Sequence, residues 1–446
     1  MKTGIFFLLL FFSGSKVLAQ DKYELVPGGQ EVAIPFELIN NLIILDVEIN
    51  QVPLKLIFDT GVKQTILINL KPTDSLHFRN LEQTAFSGVG NEKTYISGFS
   101  SSHNFINLHR QIRNKDAKIY VITGMDFHFS ESIGINVNGF IGGELIKDYI
   151  VKIDYKQKKI FFYRHENFNR KKLKRYRRFP LQIVNDKPYV QAWLQVQKNM
   201  PKRELKFLID TGNSDDIWVF AVDSLQISAG QKRIDDYFGL GFSGEIEGQR
   251  IKIYRFGLDK KMKFKYAYTG LPGRVYFEHI IKRNSFDGII GNEVLRRFFV
   301  VFDYRNQEMY LKKYYRNYRD KFLFNNTGIH LAYDGKIPVK VQEFVTQFEA
   351  VESTGETNVE INKSFIYKYE MQDKIVIKHV RKNSPADRAG LLKGDILLEI
   401  NGESVYPYRL DELEKRFFYH TQKHLEFLIE RYGMKFRFKV YNTKQL

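Results

Sequence analysis

The sequence predicts a mainly β chain made of two copies of one lobe, followed by a smaller module of strands with two helices. Three observations carry that expectation. The run Leu56-Ile57-Phe58-Asp59-Thr60-Gly61 returns as Phe207-Leu208-Ile209-Asp210-Thr211-Gly212, 151 positions later. The stretches around both copies are short, apolar and β-branched, with Asn, Asp, Gly and Pro between them, as strands and turns require. Beyond residue 375 the pattern changes to a capped helix, an alternating strand, an Asn-Gly turn and an amphipathic helix. A length of 446 residues suits about three domains, each long enough for its own core.

The first residues, MKTGIFFLLLFFSGSKVLAQ, pair one lysine with a short apolar run and a small-residue site before Gln20. They read as an export signal over residues 1–19, too short to span a bilayer. No cysteine occurs anywhere, so a lipid-anchoring cysteine is excluded. A secreted chain of this size without disulfides favours a bacterial periplasmic or secreted location, with no stable membrane anchor. The formal charge is +18, or +16 without Lys2 and Lys16. The densest basic run, Arg170 to Arg178, lies between the repeated units. It reads as a linker or edge and not as a nucleic-acid surface.

The repeat organises the elements. With Asp59 set on Asp210, Leu54-Lys55 falls on Leu205-Lys206 and Gly88-Val89-Gly90 on Gly239-Leu240-Gly241, all at an offset of 151. Gly139-Phe140-Ile141-Gly142-Gly143-Glu144 falls on Gly288-Ile289-Ile290-Gly291-Asn292-Glu293, and Asp154-Tyr155 on Asp303-Tyr304, at an offset of 149. Residues 42–58 predict two strands around a turn at 50–53. Strands over 205–209 and 217–220 flank the second Asp-Thr-Gly. Hairpins are expected over 150–163 and 300–311, and short helices over 144–148 and 293–297.

Taken singly, an Asp-Thr-Gly is a common turn. In duplicate, each copy followed by an apolar pair and glycine, it resembles the two-lobed aspartic peptidases of the pepsin and retropepsin superfamily, over roughly residues 30–315. The second copy, DTGNSDDIWV, is similar to the pepsin-type DTGSSxLWV with one residue added. The resemblance implies duplicated acid-protease lobes over 20–168 and 179–318 and a catalytic pair, Asp59 and Asp210, sharing one proton. It implies that Thr60 and Thr211 brace the pair across the lobes, and that Gly61 and Gly212 admit backbone amides to the carboxylates. Gly142 and Gly291 would let a strand pass beneath each loop. Gly88, Gly90, Gly239 and Gly241 are candidates for substrate-covering flaps, or for ordinary tight turns. The implied substrate is a polypeptide, the implied state a monomer, and no metal or cofactor is called for. Val62-Lys63 departs from the family pattern: Lys63 either depresses the aspartates or points to solvent. Tyr95 does not clearly match the family's flap tyrosine. These departures support a second reading, a non-catalytic periplasmic peptide-binding protein.

Residues 375–405 resemble a PDZ domain, placed here over 322–446. Ser384 caps a helix that starts at Pro385 and stops at Gly390. Ile396, Leu398 and Ile400 are expected to alternate inward on a strand, Asn401-Gly402 to turn it, and Leu410, Leu413 and Phe417 to line a second helix. The resemblance implies a C-terminal peptide ligand, added as a strand, with Gly328 and Ile329 in the carboxylate-binding loop. Residues 341–375 read as charged, irregular sequence interrupting the domain. His330 and His379 read as packing histidines.

Overall fold

In each copy of the repeat, one buried strand delivers the Asp-Thr-Gly and a second runs parallel beside it. The computed structural model describes residues 22–26, 31–71, 74–87, 95–123, 129–227, 230–241, 244–277, 286–353, 356–419 and 423–446. The export-signal reading over 1–19 and the flap candidates Gly88 and Gly90 lie outside them. In the first copy Gly139–Ile141 pairs parallel with Val52–Phe58 and antiparallel with Ile66–Leu67. In the second, Gly288–Ile290 pairs parallel with Arg203–Ile209 and antiparallel with Ile217–Val219. Leu56, Ile57, Phe58, Phe207, Leu208 and Ile209 are all fully buried. Strands covered on both faces read as unbroken apolar runs, which is why these do not alternate.

The two crossings sit in a nine-stranded and a ten-stranded sheet. A six-stranded sheet joins the copies, with Ile150–Asp154 antiparallel to Phe298–Asp303 at its centre. The expected hairpins close there: Ile150–Asp154 with Lys159–Tyr163, and Phe298–Asp303 with Glu308–Lys313. Glu31–Pro35 and Arg177–Pro180 form its two edges. The basic run is therefore no free linker. Arg170 donates to Asp303 Oδ2 at 2.6 Å and Arg178 to Glu308 Oε1 at 2.9 Å. The short helices are Gly143–Ile146 and Asn292–Leu295. Among the described residues no helix is long and apolar enough to cross a membrane.

The last module is a six-stranded sheet with helices Pro385–Ala389 and Leu410–Tyr419. Ser384 Oγ accepts from Asp387 N at 3.2 Å, and Gly390 takes φ +91° where the first helix stops. Leu410, Leu413 and Phe417 are buried in its core. Two expectations are corrected here. Leu397 and Ile400 point inward, instead of Ile396, Leu398 and Ile400, because a bulge between Leu397 and Glu399 breaks the alternation. Residues 341–375 are not irregular. Ile329–Ser353 and Glu356–Val380 pair along their length, from Ile329 opposite Val380 to Ser353 opposite Glu356. The part from Lys336 to Ser353 makes a two-stranded ribbon on the order of 55 Å long. Tyr367, Tyr369 and Met371 are exposed along one of its faces.

Candidate active site

The two Asp-Thr-Gly loops meet at the interface between the copies, in a reciprocal brace. Thr60 N donates to Thr211 Oγ1 at 3.0 Å and Thr211 N to Thr60 Oγ1 at 3.1 Å. Each hydroxyl then donates across the interface, Thr60 Oγ1 to Ile209 O at 2.7 Å and Thr211 Oγ1 to Phe58 O at 2.8 Å. Four buried hydrogen bonds fix one loop against the other, so neither aspartate moves alone. The strands beneath anchor the loops, with Asp59 N donating to Ile141 O at 2.9 Å and Asp210 N to Ile290 O at 3.0 Å. A Cβ at Gly142 would lie 2.3 Å from Asp59 O, and one at Gly291 2.4 Å from Asp215 O, so both positions exclude side chains.

Both carboxyls are fully buried. Asp59 Oδ1 accepts from Gly61 N at 2.6 Å and Asp210 Oδ1 from Gly212 N at 2.8 Å. A Cβ at Gly61 would stand 3.0 Å from Asp59 Oδ1 and 3.1 Å from Asp210 Cγ, and one at Gly212 would stand 2.3 Å from Asp59 Oδ2. The two glycines thus leave room for the carboxyls to meet. Asp59 Oδ2 and Asp210 Oδ2 are buried with no hydrogen bond to another group among the described residues, and each carboxyl acts on the other. Burial raises Asp59 well above the usual carboxylate range, and the charge of Asp210 adds to it. Burial also lifts Asp210, to about 7, against the lowering effects of Asp59, the Gly212 amide and Lys187.

The cation beside the pair is Lys187, not Lys63. Lys63 is about half exposed, with Nζ 3.9 Å from Asp186 Oδ2. Lys187 is buried, and both aspartates act on it. Sequence reasoning missed it, although a signal was present: the turn Asn185-Asp186 before Lys187 matches Asn40-Asn41 before Leu42. Both turns place two consecutive residues at positive φ. Each tip reaches toward the other copy. Asn41 Nδ2 donates to Ser214 O and to Glu293 Oε2, both at 3.0 Å.

Gly239 and Gly241 lie in a hairpin of Arg233–Gly241 with Gly244–Lys252, where Gly241 stands opposite Gly244. Leu240 packs into the first copy's apolar cluster with Ile39, Leu42 and Ile57, so this hairpin bridges the two lobes. The base of the hairpin holds a buried ionic chain. Arg250 binds Asp215 through two nitrogens, at 3.1 and 2.7 Å, and Asp236 through Nε at 2.6 Å. Arg381 of the last module reaches the same Asp236 at 3.0 Å. Asp215 also accepts from the Trp218 indole at 2.8 Å. Tyr237 stacks on His379, with ring centres 4.9 Å apart, and meets His330 edge-on at 5.3 Å. Burial drops His330 to about 3, so it is neutral in this contact.

In the last module the donors of the carboxylate-loop candidates are already engaged. Gly328 N donates to Asn325 Oδ1 at 3.0 Å and Ile329 N to Thr327 Oγ1 at 3.4 Å. Ile329–Ser353 is the edge strand of its sheet, where a peptide strand would add. Leu331 N on that strand donates to Glu414 Oε1, from the Leu410–Tyr419 helix, at 2.8 Å. The first lobe stands at the end of this groove: a Cβ at Gly134 would lie 3.0 Å from Leu410 Cβ and 3.4 Å from the Tyr333 ring.

Fold and site together define a mainly β chain in which two copies of one unit bring paired aspartates to one interface, with a PDZ domain packed against them. Residues 376–431 match the family model described as PDZ domain. Among solved structures, the crystal structure of aspartic proteinase from Irpex lacteus is similar over 64% of this chain and 97% of that one, at 12% identity and a TM-score of 0.42. No curated protein matches the chain.

Proposed function

We propose that this chain is an aspartic endopeptidase that hydrolyses polypeptides with Asp59 and Asp210, and that it acts after export to the periplasm or beyond. The observation that carries the reading is the pair of buried carboxyls, each held by its own glycine amide and locked across the lobes by Thr60 and Thr211. Two carboxyls held close in a buried site cannot both ionise readily, so the pair keeps one proton. The ionised member takes a proton from water as the water oxygen attacks the peptide carbonyl, and the protonated member hydrogen-bonds the carbonyl oxygen. Collapse of the tetrahedral species breaks the C–N bond, and the amine leaves with a proton from the pair. The acid and base constants belong to the pair and not to either residue.

The test is cleavage of a mixed peptide library from acid to neutral pH, with and without pepstatin, by the wild type, Asp59→Asn and Asp210→Asn. Cleavage that pepstatin blocks and both variants lose is the expected result. An inert wild type, or activity that survives both substitutions, overturns the reading. Export is tested by fractionation, where an uncleaved cytoplasmic chain would contradict it.

For the PDZ domain we infer a peptide groove held closed by Glu414. A hydrogen bond to a charged side chain contributes about 1.5–3 kcal/mol. Glu414→Ala in the full chain is therefore expected to tighten binding of peptides with free C-terminal carboxylates by roughly 10- to 100-fold. Fluorescence anisotropy with a labelled decapeptide pool reads this, and equal affinity in both proteins would place any ligand elsewhere.

A further inference from the structure

We propose that Lys187 is a positioning residue for the aspartate pair: its buried ammonium holds the two carboxyls in their one-proton form. The inference rests on the peptidase reading for its consequence in catalysis, but its geometry stands apart from that reading.

The strand register gives the first argument. In the second copy the ladder ends at Tyr189 opposite Leu208, and Lys187 and Asp210 lie two residues beyond that pair on their two chains. In the first copy the ladder ends at Ile44 opposite Ile57, with Leu42 and Asp59 two residues beyond it. Both positions follow a two-residue turn in the same left-handed conformation, Asn40-Asn41 and Asn185-Asp186. Leu42 and Lys187 are therefore equivalent under the internal two-fold. The duplication has kept an apolar residue at one and a cation at the other.

Burial gives the second. Lys187 is 1% exposed. A lysine this buried is rare unless an anion faces it. The anions acting on it are Asp59 and Asp210, and it lowers both in return. Of the other ionisable groups nearby, Tyr189 and Tyr304 are raised by burial and stay neutral. Asp186 and Lys63 lie at the turn, 3.9 Å from each other, with Lys63 about half exposed. Lys187 is the buried cation of the set.

Charge counting gives the third. Burial alone favours two neutral carboxyls, and a doubly protonated pair has no base for water. With one ammonium enclosed, the neutral assembly is one carboxylate, one carboxylic acid and one lysine cation. That is the form peptide hydrolysis needs. Losing a proton from the pair, or gaining one, leaves a net charge in a dry site.

The experiment labels aspartate carboxyl carbons with ¹³C and follows the Asp59 and Asp210 signals against pH in the wild type, Lys187→Met, Lys187→Leu and Lys187→Arg. Signals are assigned with the two Asp→Asn variants, and cleavage is profiled over the same range. Removing the cation is expected to move the pair's titration, and the acid limb of kcat/KM, upward by about one pH unit or more. Arginine is expected to restore both to within a few tenths of a unit. Either neutral variant suffices if the other does not fold, and thermal melts identify a folded one. Unchanged midpoints in a folded neutral variant overturn the proposal. So does a profile that falls in height without moving, since that is the mark of a structural role. If the carboxyl titration shifts while the wild type cleaves nothing, the role of Lys187 stands and the peptidase reading fails.

Discussion

Asp210→Asn is expected to lower cleavage by at least about 10³-fold while making the protein more stable at neutral pH. Under the proposed mechanism, the loss follows from removing half of the acid–base pair. The gain follows from linkage. Burial holds Asp210 at about 7 in the folded chain, against about 3.9 in the unfolded one. A carboxyl raised on folding favours the folded state fully below its unfolded value, and that contribution is lost as pH climbs through the folded value. Between about pH 4 and 7 the wild type therefore gives up stability that asparagine, which does not ionise, retains. A rise of that size corresponds to at most about 4 kcal/mol. The asparagine oxygen still accepts from Gly212 N, so the loop keeps its anchor. Urea melts of both proteins at about pH 4 and pH 8 check the sign: the variant's advantage should appear only at the higher pH. An advantage equal at both pH values would mean that folding does not raise Asp210.

The site was legible where its determinants are contiguous. Asp-Thr-Gly, the apolar strand before it and the later apolar pair with glycine are local strings, and a two-fold repeat doubles each signal. Ser384, Pro385 and Gly390 mark their helix for the same reason, since caps act within four residues. What the sequence hid is non-local. Lys187 opens a strand after an Asn-Asp turn, a context in which lysine is ordinarily solvated. Only its strand position, just past the Tyr189–Leu208 pair, sets it beside the aspartates. Asp215, Arg250, Asp236 and Arg381 are ordinary charges along the chain and become one buried network when three segments converge. The ribbon beyond Lys336 was missed because its many charges obscured an alternation that its second strand carries at Phe365, Tyr367, Tyr369 and Met371. Its pairing follows on from Ile329 opposite Val380 through two register shifts, between His330 and Leu331 and between Tyr333 and Lys336. The bulge at Leu397 has the same origin, a geometric step that shifts the inward face without a sequence marker.

Arg250→Met is expected to destabilise the chain by about 3–5 kcal/mol, the effect of leaving buried carboxylates without their cation. Arg250 is 3% exposed, and its guanidinium satisfies two aspartates at once. Methionine has similar volume, so the loss reads charge and hydrogen bonding and not a cavity. Asp236 shows why the network holds. Burial alone would raise it, yet Arg250 and then Arg381 outweigh burial and leave it lowered. A carboxyl lowered on folding adds stability above its unfolded value of about 3.9, and that stability is lost as pH falls through the folded value. The wild type should therefore lose more stability than the variant on acidification. Arg381→Met is expected to cost less, because Asp236 keeps Arg250, but its effect should fall on the contact between the PDZ domain and the second lobe. Arg381 also donates to Asn325 O at 2.7 Å, which ties the peptide loop to the same carboxylate. Urea melts measure the first variant, and limited proteolysis between residues 313 and 329 the second. If the Arg381 variant is cut no faster than wild type there, the ionic chain does not hold the PDZ domain in place. If it is cut faster, the hairpin that bridges the two lobes and the PDZ domain share one anchor, Asp236.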